Sequence, residues 1–424
     1  MRARTFTSSH LVEQHSAWAA MALAGILIIS PLPSPFGTSE HPSAADSSGC
    51  TVAPCIVGAI PVGNGPEGIA YDSAKGELFV ANTGSQSVDV ISDSSNEVVA
   101  TIPIRGEPYG VAYDPAQGYV FVTNALSDNI SVISDATDKI VGDVLLSQPV
   151  EVITYDSGRD EIFVANYTYG TPGVPVYVIS CTTLGLVGTI QELGFSTVEF
   201  AYDSGKGEVY ASYSDTEVAI ISDVSDRVVG NLSGWDSNGV AYDSSKGEVF
   251  ISSRLGNNVT AVSDTNNSVL GTTLLSPDVG GGSLVYDSEA GEIYVIGGWL
   301  VFAVSDTTYK VVGTVSPGAW PAAMAYDSAR GEVFVTNYKS NNVSVIADSP
   351  SQSVSFTPYV EIVLLFLAIG VVTWVLLWRS RKRRANGERK PAPGTGSSPL
   401  PVPLPTPPRG HTWLYHRKVK RKVP

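Results

Sequence analysis

The stretch GIAYDSAKGELFVANTGSQSVDVISDSSNEVVATIPI, residues 68–104, decides the fold. Four segments in it, GIAYD from Gly68, ELFVAN from Glu77, SVDVISD from Ser87 and EVVATIPI from Glu97, alternate apolar and polar positions. A period of two, enriched in Val, Ile, Phe and Tyr, marks all four as strands. Between the first two, Gly76 falls where a type I turn with a bulge needs positive φ. Asp72 is placed to cap that turn through its side chain. The unit recurs: AYD or a close variant ends at Asp72, Asp114, Asp156, Asp203, Asp243, Asp287 and Asp327, at spacings of 42, 42, 47, 40, 44 and 40 residues. The turn glycine recurs at 118, 207, 247, 291 and 331, while the third copy has Asp160, a residue that tolerates positive φ better than most. Reading the seven aspartates as a metal ring is unattractive, because they sit in separate hairpins.

Seven copies of a four-stranded unit of roughly 43 residues are the arithmetic of an all-β, seven-bladed β-propeller. The last copy stops at Asp348 without a fourth strand. CIVGAIPVG from Cys55 resembles the fourth-strand segments KVVGTVSPG and KIVGDVLLS, so the N-terminal strand is expected to complete the last blade. Such a clasp protects the sheet edges and ties the chain ends together.

The second strands read FVAN at Phe79, FVTN at Phe121, FVAN at Phe163 and FVTN at Phe334. This pattern resembles the YVTN β-propeller repeat family, found in archaeal surface-layer and other exported cell-surface proteins. The resemblance covers Cys55 to Asp348 and implies the fold and a surface location, with no fixed chemistry. Blades four, five and six depart from it, reading YASY, FISS and YVIG.

Composition narrows the function classes. Of 424 residues, 41 are Gly and 27 Pro with 16% charged, as turn-rich β structure requires. Residues 50–357 hold 36 acidic and 11 basic side chains, a charge of −25, whereas residues 379–424 hold 13 basic and one acidic, a charge of +12. An acidic surface repels phosphates, so the propeller binds no nucleic acid. The five histidines, at 10, 15, 41, 411 and 416, all lie outside the acidic block. That removes histidine-based nucleophile activation, haem ligation and the usual zinc and copper centres from it.

Two regions of the propeller are candidates for binding. Five residues before each repeat aspartate come Glu67, Tyr109, Glu151, Val198, Asn238, Gly282 and Ala322, facing the channel mouth, with Glu199 one further on. Glu67, Glu151, Glu199 and Asn238 could present oxygen ligands to Ca²⁺. Propeller lactonases that resemble this arrangement hold a divalent ion on the axis, but half of this ring is apolar or Gly, and no cofactor is otherwise implied. The second candidate is the upper face, onto which the loops between blades and between second and third strands project. Those loops carry Tyr109, Trp235 and Trp320 between blades and Tyr167, Tyr169, Tyr213, Trp299 and Tyr338 within them. Tyr and Trp supply contact area with a polar handle, as protein interfaces and sugar platforms need. The competing reading is that several pack between blades. The long loop 166–175 of blade three is a candidate specificity loop or an ordinary insertion.

The ends address a membrane. Residues 1–49 hold Arg2, Arg4 and an apolar run from Ala17 to Ile29, which reads as a signal peptide or an uncleaved N-terminal anchor with a linker. The propeller occupies 50–348, a short stalk 349–358 and a transmembrane helix 359–378. The helix ends in Trp374 and Trp378 before Arg379, Arg381, Lys382, Arg383 and Arg384, which predicts a cytoplasmic tail at 379–424. That tail is basic and Pro-rich and is expected to be disordered. The propeller is then outside the cell, with its upper face outward. Cys50 and Cys55 could close a small disulfide loop, and Asn129, Asn166, Asn231, Asn258, Asn266 and Asn342 lie in glycosylation sequons. The sequence therefore reads as a non-enzymatic, single-pass cell-surface protein that binds an extracellular protein or glycan. A metal-dependent hydrolase or lactonase in the channel is the alternative from another class, and lateral self-association a third reading.

Overall fold

The computed structural model describes residues 53–166, 175–191, 197–213, 217–234, 236–277, 279–347 and 373–379. The chain divides into two units, 1–351 and 352–424. In the first, the 28 strands of the described residues form seven antiparallel four-stranded sheets, six of them running from the channel outward in chain order. The seventh sheet is composite. Cys55–Pro61 pairs antiparallel with Asn342–Ala347, from Cys55 against Ala347 to Pro61 against Asn342, and supplies the missing outer strand. The expected clasp is therefore present.

The cores lie between blades, because a sheet with two apolar faces must bury both. Each second strand puts one aromatic residue into them: Phe79, Phe121, Phe163, Tyr210, Phe250, Tyr294 and Phe334 are fully buried. The closing interface is built like the others, with Ile60, Phe334, Val343 and Val345 packed against Ile69, Leu78, Val80 and Ile91.

The repeat side chains divide the remaining work. All seven AYD aspartates are fully buried and cap their turns: Asp72 Oδ1, for instance, accepts from Ala74 N at 2.8 Å and Lys75 N at 3.2 Å. The tyrosine before each aspartate reaches backward to the preceding blade. Tyr113 donates to Asp135 of its own blade at 3.3 Å while its phenol faces Asp72, and in the same way Tyr155 faces Asp114 and Tyr202 faces Asp156. Tyr242 meets Asp203, Tyr286 meets Asp243 and Tyr326 meets Asp287, until Tyr71 closes the circle on Asp327. Burial, and then these carboxylates, push the phenols far above their ordinary range, so they stay protonated and donate.

Blade three shows why the turn position is glycine elsewhere. A Cβ on Gly76 would stand 2.5 Å from Asp93 Oδ2, the aspartate that ends the third strand of its blade. Blade three has Cys181 in place of that aspartate and Asp160 in place of the glycine, at φ 58°. The two changes compensate: Asp160 Oδ1 accepts from Tyr155 at 3.2 Å, as Asp93 accepts from Tyr71 at 3.3 Å. Cys181 is a buried free thiol, whereas Cys55 is disulfide-bonded. Cys50 lies outside the described residues.

The expected signal or anchor at 1–49, the stalk at 349–358 and, apart from Arg379, the tail at 379–424 lie outside the described residues. So does most of the expected transmembrane span, of which only 373–378 are described, within a helical segment at 373–379. Among the described residues no helix is long and apolar enough to cross a membrane.

The exchange in blade three makes a quantitative prediction. Asp160→Gly removes the Tyr155 acceptor, and Cys181→Asp crowds a second carboxylate against Asp160 and Asp114. Each alone should destabilise the fold, and the double variant should recover at least about 1.5 kcal/mol relative to their sum. Denaturant unfolding of the four proteins checks this; strict additivity would refute the compensation.

Candidate functional site

Every channel-mouth residue expected from the repeat lines one cavity of about 400 Å³: Glu67, Tyr109, Glu151, Val198, Glu199, Asn238, Gly282 and Ala322. The YVTN-like position explains how they are held. Six of the seven first strands carry a bulge, as between Pro108 and Val111, where an amide is left unpaired by the sheet, and only Val152–Asp156 of blade three pairs without one. The Thr123 hydroxyl accepts from Gly110 N at 2.8 Å and donates to the Glu151 carbonyl of the next blade at 2.7 Å. Thr336 does the same for Ala323 N and the Glu67 carbonyl, and Ser212 and Ser252 do so toward Asn238 and Gly282. The motif hydroxyl thus satisfies a bulge and pins the adjacent channel residue. That role is invisible in sequence, because it crosses a blade boundary.

The four proposed oxygen ligands are not equivalent. Glu199 is part of the wall: its carboxylate accepts from Ser283 Oγ at 2.6 Å and Val240 N at 3.0 Å, strapping three successive blades together. Burial raises it to about 7 despite these bonds. The Asn238 amide donates to the Gly281 carbonyl at 2.8 Å. Glu67 is also pushed up to about 7, by burial and then by the negative charge of Glu151. Ca²⁺ prefers about six to eight oxygens. With Glu199 committed to the wall and Val198, Gly282 and Ala322 offering no side-chain oxygen, this donor set falls short of a calcium cage. A second cluster, Asp114, Asp160 and Cys181, places potential ligand atoms within 4.8 Å of one another. Here Asp160 is engaged by Tyr155, Gln117 and Thr182, and the thiol is held protonated by burial and the two carboxylates. It is the compensated turn of blade three.

The aromatic candidates separate into three groups. Tyr109 belongs to the channel wall rather than to an outer surface. Tyr213 is buried, with its hydroxyl donating to Glu217 at 2.7 Å, so its role is packing. Trp235, Tyr167 and Tyr169 lie outside the described residues, as does most of the long loop of blade three.

Trp299, Trp320 and Tyr338 form one array on the upper face. Trp299 and Trp320 have ring centroids 6.0 Å apart, and Trp320 stacks on Tyr338 at 6.1 Å with 22° between planes. The Lys339 ammonium lies 4.7 Å from the Trp320 ring centroid. Both tryptophans leave about half their surface in water, at 56% and 48%. Trp320 has φ 60°, the left-handed region, in the position just before a first strand where blades one and six have Gly65 (φ 63°) and Gly280 (φ 59°). A bulky side chain there costs about 1 kcal/mol or more. Backbone bonds hold the array in place, with Tyr338 N donating to the Trp320 carbonyl at 2.8 Å and Lys339 N to the Ala319 carbonyl at 3.1 Å. Only the placement of aromatics in loops signalled this cluster; the strain at Trp320 had no sequence signal beyond its alignment with two glycines.

The sequons differ in availability. Asn231 and Asn266 are exposed, whereas the amides of Asn129 and Asn258 donate to Asp143 and to the Gly256 carbonyl. Asn342 accepts from Asn337 at 2.9 Å, and Asn166 is partly buried.

These features define a seven-bladed β-propeller. No family model matches the chain, and no curated protein matches it. Among solved structures it is similar to hydrazine synthase of Kuenenia stuttgartiensis, at 18% identity and TM-score 0.59, over 67% of this chain and 95% of that one. It is also similar to the β-propeller domain of Cps50 (Swd1) of Myceliophteria thermophila, at 7% identity and TM-score 0.60, over 70% of this chain and all of the other. At these identities the likeness extends to the fold alone.

The raised Glu67 predicts a pH effect of definite sign. Its folded value, about 7, lies above the ordinary 4.5, so the folded state is penalised progressively as pH rises through that window. Glu67→Gln should therefore stabilise the protein at pH 8 by about 1 to 2 kcal/mol, discounted for screening at the open mouth, and change little near pH 4.5. Glu199→Ala should instead destabilise by about 2 kcal/mol near pH 4.5, since it strands the Ser283 and Val240 donors, and by less at pH 8, where it also removes a carboxylate whose ionisation is penalised. Thermal unfolding at the two pH values distinguishes them.

Proposed function

We propose that this chain is a non-enzymatic, membrane-anchored cell-surface propeller of the YVTN-repeat type, whose upper face binds an extracellular protein or glycan in adhesion or envelope assembly. The observation that carries the reading is the exposed array of Trp299, Trp320 and Tyr338. Stable folding favours burying such rings, and a strained backbone at an exposed tryptophan is the pattern of a recognition site. The FVTN and FVAN strands support the surface-layer resemblance. The run of apolar residues closed by Trp378 and five cations between 379 and 384 supports an anchor with its tail in the cytoplasm. Lateral association of propellers in an envelope layer is compatible with the same placement.

One observation favours the alternative of a channel hydrolase or lactonase: Glu67, balanced near pH 7 beside Glu151, has the protonation equilibrium of an acid–base group. The incomplete ligand set argues against a metal-dependent version of it.

Impermeant lysine biotinylation of intact cells tests the placement. Exposed Lys139 and Lys339 should label, while Lys418, Lys420 and Lys422 should label only after lysis. The reverse pattern would invert the topology. Lactone turnover abolished by Glu67→Gln would establish the alternative in place of a binding module.

A further inference from the structure

We infer that the aromatic array on blades six and seven is a binding site for an acidic glycan, a chain of pyranose rings bearing carboxylates. The inference rests on the reading that the upper face binds ligands and names the ligand class.

Four features converge on it. The first is the backbone of Trp320. Blades one and six solve the same turn with glycine, and in blade one the glycine also precedes a proline, as Trp320 precedes Pro321. Tyr309 is another bulky residue in the left-handed region, at φ 51°, but its hydroxyl donates to Glu248 at 2.9 Å and its ring packs near Phe250. Trp320 has no such burial, so its side chain is retained at a cost to the fold.

The second feature is the shape of the surface. Contiguous, half-exposed indole faces match the flat C–H faces of sugar rings, which lose unfavourable contact with water on stacking while their hydroxyls stay at the edge. The third is the rim. Ser340 and Asn341 follow Lys339 in its turn, and Asn64 and Ser85 lie in the blade-one turns beside Tyr338, to which that turn is tied. Ser340 Oγ accepts from Ala319 N at 2.8 Å, and Asn341 Oδ1 from Gly65 N at 2.9 Å. A protein hot spot is typically ringed by groups that exclude water. This rim is polar and wet, as a polyhydroxylated ligand requires.

The fourth feature is charge. Lys339 is exposed, lies over Trp320 and makes no ion pair among the described residues, in a block carrying 36 acidic and 11 basic side chains. A lone cation beside a sugar platform selects a carboxylate on the sugar. Nucleic acid is bound by many such cations along its phosphates, whereas a sugar stacked on Trp320 needs only one carboxylate within reach of Lys339.

Calorimetric titration of the full chain with oligogalacturonate, and with a cello-oligosaccharide of equal length, tests the inference. Oligogalacturonate should bind more tightly than its neutral counterpart. Trp299→Ala and Trp320→Gly should each weaken it by about tenfold or more. Lys339→Gln should weaken the acidic ligand by about threefold to fivefold and leave the neutral one unchanged. Trp320→Gly should also leave the melting temperature unchanged or raise it by about 2 °C. Equal binding of both sugars, unaffected by Lys339→Gln, would overturn the acidic specificity and leave a glycan-binding face. Failure of both sugars, with Trp320-dependent binding of a purified surface protein, would overturn the glycan and keep the face. A lowered melting temperature for Trp320→Gly, with no ligand affected by either tryptophan variant, would make the array structural and remove both readings.

Discussion

The close approach of each repeat tyrosine to the buried aspartate of the preceding blade is the constraint on which the ring depends. A propeller blade has two apolar faces and no stable existence alone, so the packing of neighbours supplies most of the stability. Packing alone does not fix the angle between blades. The aspartate does so by acting in two directions: one oxygen caps its own hairpin, and the carboxylate faces the phenol of the next blade. Seven such links close only if every blade sits at the same rotation, and the composite seventh blade brings Asp327 to Tyr71 to complete the circle. The belt lies on the lower face, where the first strands end.

The upper face is held differently, and this explains where the blades are free to diverge. There the link is the hydroxyl of Thr123, Ser212, Ser252 or Thr336, spanning a bulge and the next blade's carbonyl. Blades one, three and six have Ala81, Ala165 and Ile296 instead and close without it. With the rotation set below, the upper rim can vary residue by residue. In blade six the substitution puts Ile296 into the channel wall, which makes that side of the mouth apolar while Glu67 and Glu151 keep the other side acidic.

How much of this was legible in the sequence depends on whether a contact is local or crosses a blade. The strands, the turn glycines, the caps and the clasp follow from period-two alternation and a repeating offset, and each was readable. The seven channel positions were readable too, since a fixed offset in the repeat maps to a fixed height on the axis. The phenol–carboxylate belt and the hydroxyl pins were not, because both partners are present in every repeat and nothing in one repeat says that it reaches into another. Asp160 was read as a tolerated exception at a glycine position. Its reason, the aspartate missing at Cys181, lies 21 residues away and emerges only when both side chains are seen to compete for one site beside Tyr155. Tyr109 has two places in the sequence reading, the channel mouth and the upper loops, and it lines the channel cavity.

The same separation of faces bears on why a strained tryptophan persists. A residue that costs stability must be offset elsewhere, and the offset is least disruptive where the strained segment is uncoupled from the element that sets the ring geometry. Trp320 meets that condition: its loop is tied to the adjacent hairpin through Tyr338 and Lys339, on the face opposite the belt. Relaxing it to glycine would move a surface loop without altering the blade rotation. A fold with one face devoted to closure can therefore carry on its other face side chains chosen for contact with a ligand, and Trp299, Trp320 and Tyr338 occupy that position.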